Sequence, residues 1–408
     1  MMKGYKIKNG TVYVPGSGKF EKKDLYIWEG KLVESFPEIT PESDPDKLEN
    51  QDQKNTWLEE KYQAEGKIRV IDAEGCYITK GLVDYHVHYF EGGADNGVNP
   101  DMASFPNGVT TAVDGGTCGV SCFEIFKKAI MDRTDVKLYS QLLVGSSGQL
   151  AERYAEQIEA EQIEAERITE MFDRYPRELV GLKTRLSANI IGDSEKAKKS
   201  LEKTVEIAER LGCNVTVHIT NPAMNLEEMA SVLRKDDVIC HAFQMKGRES
   251  ILDEKGTVRS GIWKARERGV LFDACNGRNN FNLKVAEKAL EQQFFPDIIS
   301  SDINTVSYYE GVLHSLPKVL SKYLAFGQPL ERILDAAILT PARLIGHEEL
   351  ASMETGAPAD LFIFKVQEYD MLYLDHTEGE NQLKGHQVIV PQMTIKNGKV
   401  VYSQVYFE

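Results

Sequence analysis

Apolar and polar positions alternate with a period of two near the start of the chain, in YKIKNGTVYV and again in DLYIWEGKLVESF. That period belongs to a strand with one buried face. The Asn-Gly and Glu-Gly pairs between the runs are hairpin signals. The same pattern returns at the other end, in ADLFIFKV and VIVPQMTIKNGKVVYSQ, and the tetrapeptide IKNG occurs at both 7–10 and 395–398. We read that repeat as turn chemistry. Termini often lie close together, so the two ends predict one small β-sandwich, built from residues 1–75 and 353–408.

From about Val70 the period changes. Short apolar runs (GLVDYHVHYF, TTAVDGG, VKLYSQLLV, LVGLKTRLS, CNVTVHIT, DVICHAFQ, VLFDACNG and PDIISSDIN) mostly precede stretches of helical periodicity. Eight strand candidates of this kind predict an α/β fold with a parallel sheet, and eight units suit a (β/α)₈ TIM-like barrel over residues 76–352. A doubly wound open sheet is the alternative, but no G-x-G-x-x-G turn accompanies it. Residues 38–66 are polar and rich in acid and proline; they read as a solvated insertion, partly helical after Asn55. QLAERYAEQIEAEQIEAERITEMF reads as one long charged helix, without the clean heptads of a coiled coil.

Composition narrows the function. The chain has 408 residues, is 42% hydrophobic and 27% charged, and carries a net charge of −15. Nucleic acid needs a basic face and is excluded as a partner. No run of 18 apolar residues predicts a membrane span, and the N-terminus lacks the apolar stretch of a signal peptide. Six scattered cysteines suit a reduced, cytoplasmic protein. Cys118 and Cys122 lack a second pair and are expected to be plain core or loop residues.

The candidate chemistry lies at strand ends. His86 and His88 are two apart on a strand and share a face. His218 in VTVHIT and His241 in VICHAF fall near the ends of later strands, where a barrel gathers its catalytic groups. Zinc and similar divalent metals favour imidazole nitrogen. Lys183 ends the apolar run of VGLKTRLS. Inside a barrel it needs an ion pair, or carbamylation by CO₂, which would make it an anion with two oxygens able to bridge two metals. Asp302 in SSDIN could ligate a metal, or take a proton from a metal-bound water and pass it to a leaving group.

His-x-His, a lysine, His, His and Asp in that order resemble the amidohydrolase superfamily. The likeness covers most of the chain, including the closing TPARLIGH and GAPADLFIF. GLVDYHVH, VGLKTRLS, VTVHIT and SSDIN most resemble its deacetylase-like members, often labelled dihydroorotase-like or adenine deaminase-like. The resemblance implies two divalent metal ions, zinc being the first expectation. His86, His88 and Asp302 would hold the more buried ion. Lys183, as N6-carboxylysine, would bridge to a second ion on His218 and His241. A bridging hydroxide would attack an amide or ester carbonyl, with Asp302 moving its proton. Lys80 stands where the family usually has proline.

The substrate contacts are less legible. Arg185, two residues beyond Lys183, is placed to grip a carboxylate or to form a structural ion pair. Asn276, Gly277 and Asn304 are expected on rim loops, with Tyr154 and Asn221 as further candidates, and His314 is assigned to helix packing. The expected activity is hydrolysis of an N-acyl or O-acyl bond on a small carboxylate-bearing substrate, by a homo-oligomer. Cyclic amide hydrolysis of the dihydroorotase or hydantoinase type is the second reading. Purine deamination and a non-catalytic barrel stand behind it.

Overall fold

The computed structural model describes residues 2–37, 51–151, 154–247, 249–277, 280–309, 315–375 and 381–404. Its strands are β1 (Gly4–Lys8), β2 (Thr11–Tyr13), β3 (Phe20–Lys22), β4 (Leu25–Trp28), β5 (Lys31–Val33), β6 (Ile68–Asp72), β7 (Tyr77–Lys80), β8 (Leu82–Val87), β9 (Val109–Asp114), β10 (Lys137–Leu143), β11 (Leu179–Arg185), β12 (Asn214–His218), β13 (Val238–Cys240), β14 (Leu271–Asp273), β15 (Leu361–Leu374), β16 (Gln382–Lys396) and β17 (Lys399–Ser403).

Strands β8 to β14 form a curled parallel sheet in which each lies beside its successor in the chain. Parallel neighbours need crossover connections, and helices supply most of them. All residues of β8 and β9 are buried, as in strands covered on both faces. Helix Ser194–Leu211 shows how the outer layer forms. The Asp193 carboxylate caps its first turn, Gly212 ends it in the left-handed region, and Ala197, Leu201, Thr204 and Ala208 recur on one buried face.

The eighth predicted strand is not a regular ladder. Residues 298–303 link the two edges of the sheet by single parallel bridges, Ile298 to Asp273 and Ile303 to Val87. Asp302 interrupts the extended run with a φ of 54°. The segment is held sideways by Asp84 of β8, which accepts from the Ser301 backbone N–H at 3.0 Å and from its hydroxyl at 2.5 Å.

The two ends of the chain share one sheet, ordered β17-β16-β15-β7-β2-β3, and β5-β4-β1-β6 form another. Tyr5, Ile7 and Ile27 from the second meet Ile78, Leu361 and Ile395 from the first in a common apolar cluster. β7 pairs antiparallel with β15 and passes through Gly81 into β8. A side chain at Gly81 would strike Thr110, its Cβ falling 2.1 Å from Oγ1. Lys80, at the proline position of the resemblance, is buried and donates to the Pro358 carbonyl at 2.5 Å.

Two expectations need correction. Helix Gln51–Ala64 is more than surface decoration: Leu58 and Tyr62 pack with Trp28, Phe36 and Ile68, and the Tyr62 hydroxyl donates to the Pro37 carbonyl at 2.8 Å. The long helix expected across 149–172 is reduced to a 3₁₀ turn, Ala160–Gln162, and helix Ala165–Arg174. Upstream of these, Ile158 is buried and Glu156 pairs with Arg185, so tertiary contacts override helical propensity there. Cys118 and Cys122 are buried, the core alternative of the two expected for them. Among the described residues no helix is long and apolar enough to cross a membrane.

Candidate metal centre

Strand period two puts His86 and His88 on one face of β8, with ring centroids 5.4 Å apart. His218 ends β12, and His241 follows β13 with a φ of 66° that turns its ring inward. The His218 and His241 rings lie 4.4 Å apart, and His241 stands 5.7 Å from His86. Lys183 of β11 and Asp302 complete the wall of a small cavity of about 90 Å³, lined also by Asn96, Gln149, Arg185, Asn280 and Asn304. All six residues singled out as ligands are therefore brought together.

Their orientation is set by hydrogen bonds. Asp302 Oδ1 is 3.3 Å from His88 Nε2 and 3.7 Å from His86 Nε2, while Asn280 Nδ2 donates to Asp302 Oδ2 at 3.0 Å. Behind His88, Nδ1 meets Thr117 Oγ1 at 2.8 Å, and that hydroxyl donates to Asp114 Oδ2 at 2.9 Å. The hydroxyl proton is thus committed to Asp114, so its lone pair accepts from His88 Nδ1 and leaves Nε2 with a free pair. His241 Nδ1 donates to the Cys275 carbonyl at 2.7 Å, which frees its Nε2 in the same way.

The charge states suit cation binding. Burial, then the nearby Lys183 charge, hold His86 down at about 4, so its imidazole is neutral at pH 7. Burial, then His241 and Arg185, push His218 well below its usual range. Burial opposes ionisation of Asp302, but its contacts with the His88, His241 and His86 imidazoles outweigh it, keeping the carboxyl well below the usual range. The neutral His86 and His218 imidazoles, set beside the anionic Asp302, suit a divalent cation.

Space is kept for that cation. A Cβ on Gly115 would lie 2.3 Å from His86 Nε2, and one on Gly277, whose φ is 53°, would lie 2.3 Å from Asp302 Oδ2. Bare backbone therefore stands where a side chain would crowd both ligands. Lys183 is buried, and its Nζ has His86 Nδ1 and Cys240 Sγ at 3.5 Å each. Among the described residues no carboxylate pairs with it, so the salt-bridge alternative is not met. His86, His88 and Asp302 fit a divalent cation, and Lys183, His218 and His241 line the adjoining wall.

The rim agrees less well with expectation. Arg185 lines the cavity but its Nη1 pairs with Glu156, the structural ion pair weighed for it. Asn304 lines the cavity and donates to the Asp302 carbonyl at 2.9 Å. Asn276 does not line it: it is buried behind the loop, where its Oδ1 accepts from Lys322 Nζ at 2.7 Å. Tyr154 is 73% exposed and outside the cavity wall. Asn221 is also off the wall, with a φ of 53° and its Nδ2 on Asn189 at 3.3 Å. His314 lies outside the described residues. Asn96, Gln149, Asn280 and Cys240 were missed. Asn280 stands in the same Asn-rich run as Asn276 and Cys240 directly precedes His241; Asn96 and Gln149 carry no local signal.

Residues 77–401 match the sequence profile described as "Amidohydrolase family". A deacetylase of Agrobacterium fabrum is 30% identical over 323 residues, 79% of this chain and 78% of the relative. A solved dihydroorotase has a TM-score of 0.81 at 25% identity, over all of this chain and 99% of the other. An adenine deaminase structure has a TM-score of 0.82 at 25% identity, over 98% of this chain and all of the other.

Proposed function

The chain belongs to the amidohydrolase family, a group of hydrolases acting on C–N bonds, and from that premise we propose that it cleaves an N-acyl or O-acyl group from a small carboxylate-bearing substrate. The observation that carries this reading is Asp302. It is an ionised, buried carboxylate that faces His86 and His88 with one oxygen and is held by Asn280 through the other. In the proposal His86, His88 and Asp302 hold one divalent cation, and His218 and His241 hold a second. Lys183, once carboxylated, would supply oxygen donors to these ions, and zinc would be the first choice of metal. When bound, such ions polarise a carbonyl and acidify a water molecule.

The protein's own groups have separate tasks. Asp302, anionic across ordinary pH, accepts the proton of the attacking water and hands it to the leaving nitrogen or oxygen. Asn280 stops its carboxylate from rotating. Asn96 Oδ1, buried without a hydrogen-bond partner among the described residues, offers an acceptor to a substrate N–H. A substrate carboxylate would share the Arg185 guanidinium with Glu156. The cavity is far below the roughly 300 Å³ at which most ligand clefts begin, which favours an acetyl-sized group at the reacting end. Similarity to a deacetylase supports the same reading.

Cyclic amide hydrolysis is the second reading, supported by the likeness to a dihydroorotase. Purine deamination fits less well, because buried, acid-free Lys183 suits a bridge between two ions. The proposal includes a closed eight-unit barrel over 76–352 and a sandwich joining 1–75 to 353–408. It also includes a cytoplasmic homo-oligomer, with six unpaired cysteines as support for the location. The test is a screen of N-acetyl and O-acetyl carboxylates, cyclic ureides and purines against zinc-loaded protein, with Asp302→Asn as control. Turnover of acetyl substrates supports the first reading. Turnover confined to ureides or purines replaces it.

A further inference from the structure

Behind the cavity stand two thiols that the proposed reaction does not use. Cys240 ends β13 and Cys275 follows β14; both are fully buried. Cys240 Sγ is 3.4 Å from His86 Nδ1, and Cys275 Sγ is 3.9 Å from His241 Nε2. One donor atom from each of these four residues lies within 4.8 Å of all the others. A tetrahedral zinc with bonds of about 2.0–2.1 Å to nitrogen and 2.3 Å to sulfur needs donor separations of roughly 3.4–3.8 Å. The first separation lies at the lower end of that range and the second just above it, with the remaining pairs within 4.8 Å, so the four donors would close slightly around an ion.

We propose that His86, Cys240, His241 and Cys275 form an inner cation position for a thiophilic metal such as Zn²⁺ or Cd²⁺, distinct from the His86–His88–Asp302 position. Two features support it beyond proximity. A metal-ligating histidine ordinarily turns its second nitrogen to a carboxylate, a carbonyl or water. His86 Nδ1 faces the Cys240 thiol and the Lys183 amine instead, at 3.4 and 3.5 Å. The donor types also match: two sulfurs and two imidazoles in a dry site are a set that selects zinc or a softer ion over magnesium or calcium. Each thiol releases its proton to solvent as its metal–sulfur bond forms.

The inner position shares His86 with the first proposed hydrolytic cation and His241 with the second, so a cation there withdraws a ligand from each. The inner position needs neither carboxylated Lys183 nor Asp302. It therefore stands or falls separately from the proposed hydrolase mechanism.

The experiment loads metal-free full-length protein with one and then two equivalents of Zn²⁺ and reads X-ray absorption. Sulfur neighbours at about 2.3 Å are expected with the first equivalent. Cd²⁺ should give a thiolate charge-transfer band in the ultraviolet. Cys240→Ser and Cys275→Ser should each remove one sulfur. His88→Ala should keep the sulfur signal while losing the outer cation, which separates this test from the hydrolase reading. A shell of only nitrogen and oxygen at both loadings, or sulfur that survives replacement of both cysteines, overturns the proposal. If the cysteine variants fail to fold, the unmodified protein's spectrum decides alone.

Discussion

Thr117 lies behind the proposed site, and its hydroxyl joins His88 to Asp114. Thr117→Val keeps the side chain's volume and shape, so it opens no cavity at this fully buried position. It removes the hydrogen bond to the Asp114 carboxylate at 2.9 Å and the one from His88 at 2.8 Å. Asp114 keeps two backbone donors, Tyr89 N–H at 3.0 Å and Thr117 N–H at 2.7 Å, and remains satisfied. His88 Nδ1 is left without a partner inside the protein, at a cost of about 1–3 kcal/mol. Its ring is then free to turn, or to move its proton to Nε2 and lose the lone pair. Removing such an outer partner typically lowers metal affinity about 10–100-fold, or about 1.4–2.7 kcal/mol.

The assay is zinc affinity by chelator competition, paired with the rate at saturating zinc. The expected result is affinity weakened 10–100-fold with most of the rate restored by excess metal. Thr117→Ser, which keeps the hydroxyl, should stay near the parent protein. Unchanged affinity in the valine variant would refute the chain from Asp114 to His88. An equal loss in the serine variant would move the effect from hydrogen bonding to packing.

Asp302→Asn should keep much of the bound metal yet lose about 10²–10⁴ in turnover, and a near-parental rate would remove Asp302 from proton transfer. Lys183→Ala should lower bound zinc measured by elemental analysis; full metal content and activity together would sink the bridging role. Gly277→Ala places a Cβ 2.3 Å from Asp302 Oδ2 at a left-handed backbone position costing roughly 1–2 kcal/mol for a non-glycine residue, so turnover should fall along with melting temperature. Lys322 is held near 7 by burial, then by Lys318. Below that pH its buried charge is a full penalty on the fold, and deprotonation relieves it as pH rises towards the unfolded value of 10.5. Its contribution to stability should therefore rise between pH 7 and 10 by up to about 1.4 kcal/mol per unit. Lys322→Met should flatten the slope in denaturant titrations, and an unchanged slope would contradict the assignment.

The six candidate ligands were legible as a group because their signal is local. His86 and His88 announce a shared face by spacing alone, and His218, His241 and Asp302 each stand at the end of a run of apolar residues. The rim was less legible because loop backbone decides where its side chains point. Asn221, His241, Cys275 and Asp302 all have positive φ, which ordinary residues seldom adopt and no simple periodicity encodes. That is why Asn276 was favoured over Asn280, four residues on in the same run. The charged segment 149–172 misled for a different reason. Its composition favours helix, but Ile158 and the Glu156–Arg185 pair tie its first half to the barrel. Cys240 ends β13 beside His241 and Cys275 follows β14, and nothing in the sequence around Cys275 marks it as a neighbour of the histidine cluster.

The pairing of β7 with β15 bears on the order in which the protein is made. β7 leads through Gly81 directly into the strand that carries His86 and His88, and the Gly81 N–H donates to the Asp360 carbonyl at 3.0 Å. A chain emerging from the ribosome holds all six proposed ligands once residue 302 is out. It cannot anchor β8 from below until β15 has followed nearly sixty residues later. Domains fold as units as they emerge, so the first two ligands should be among the last parts of the molecule to become rigid.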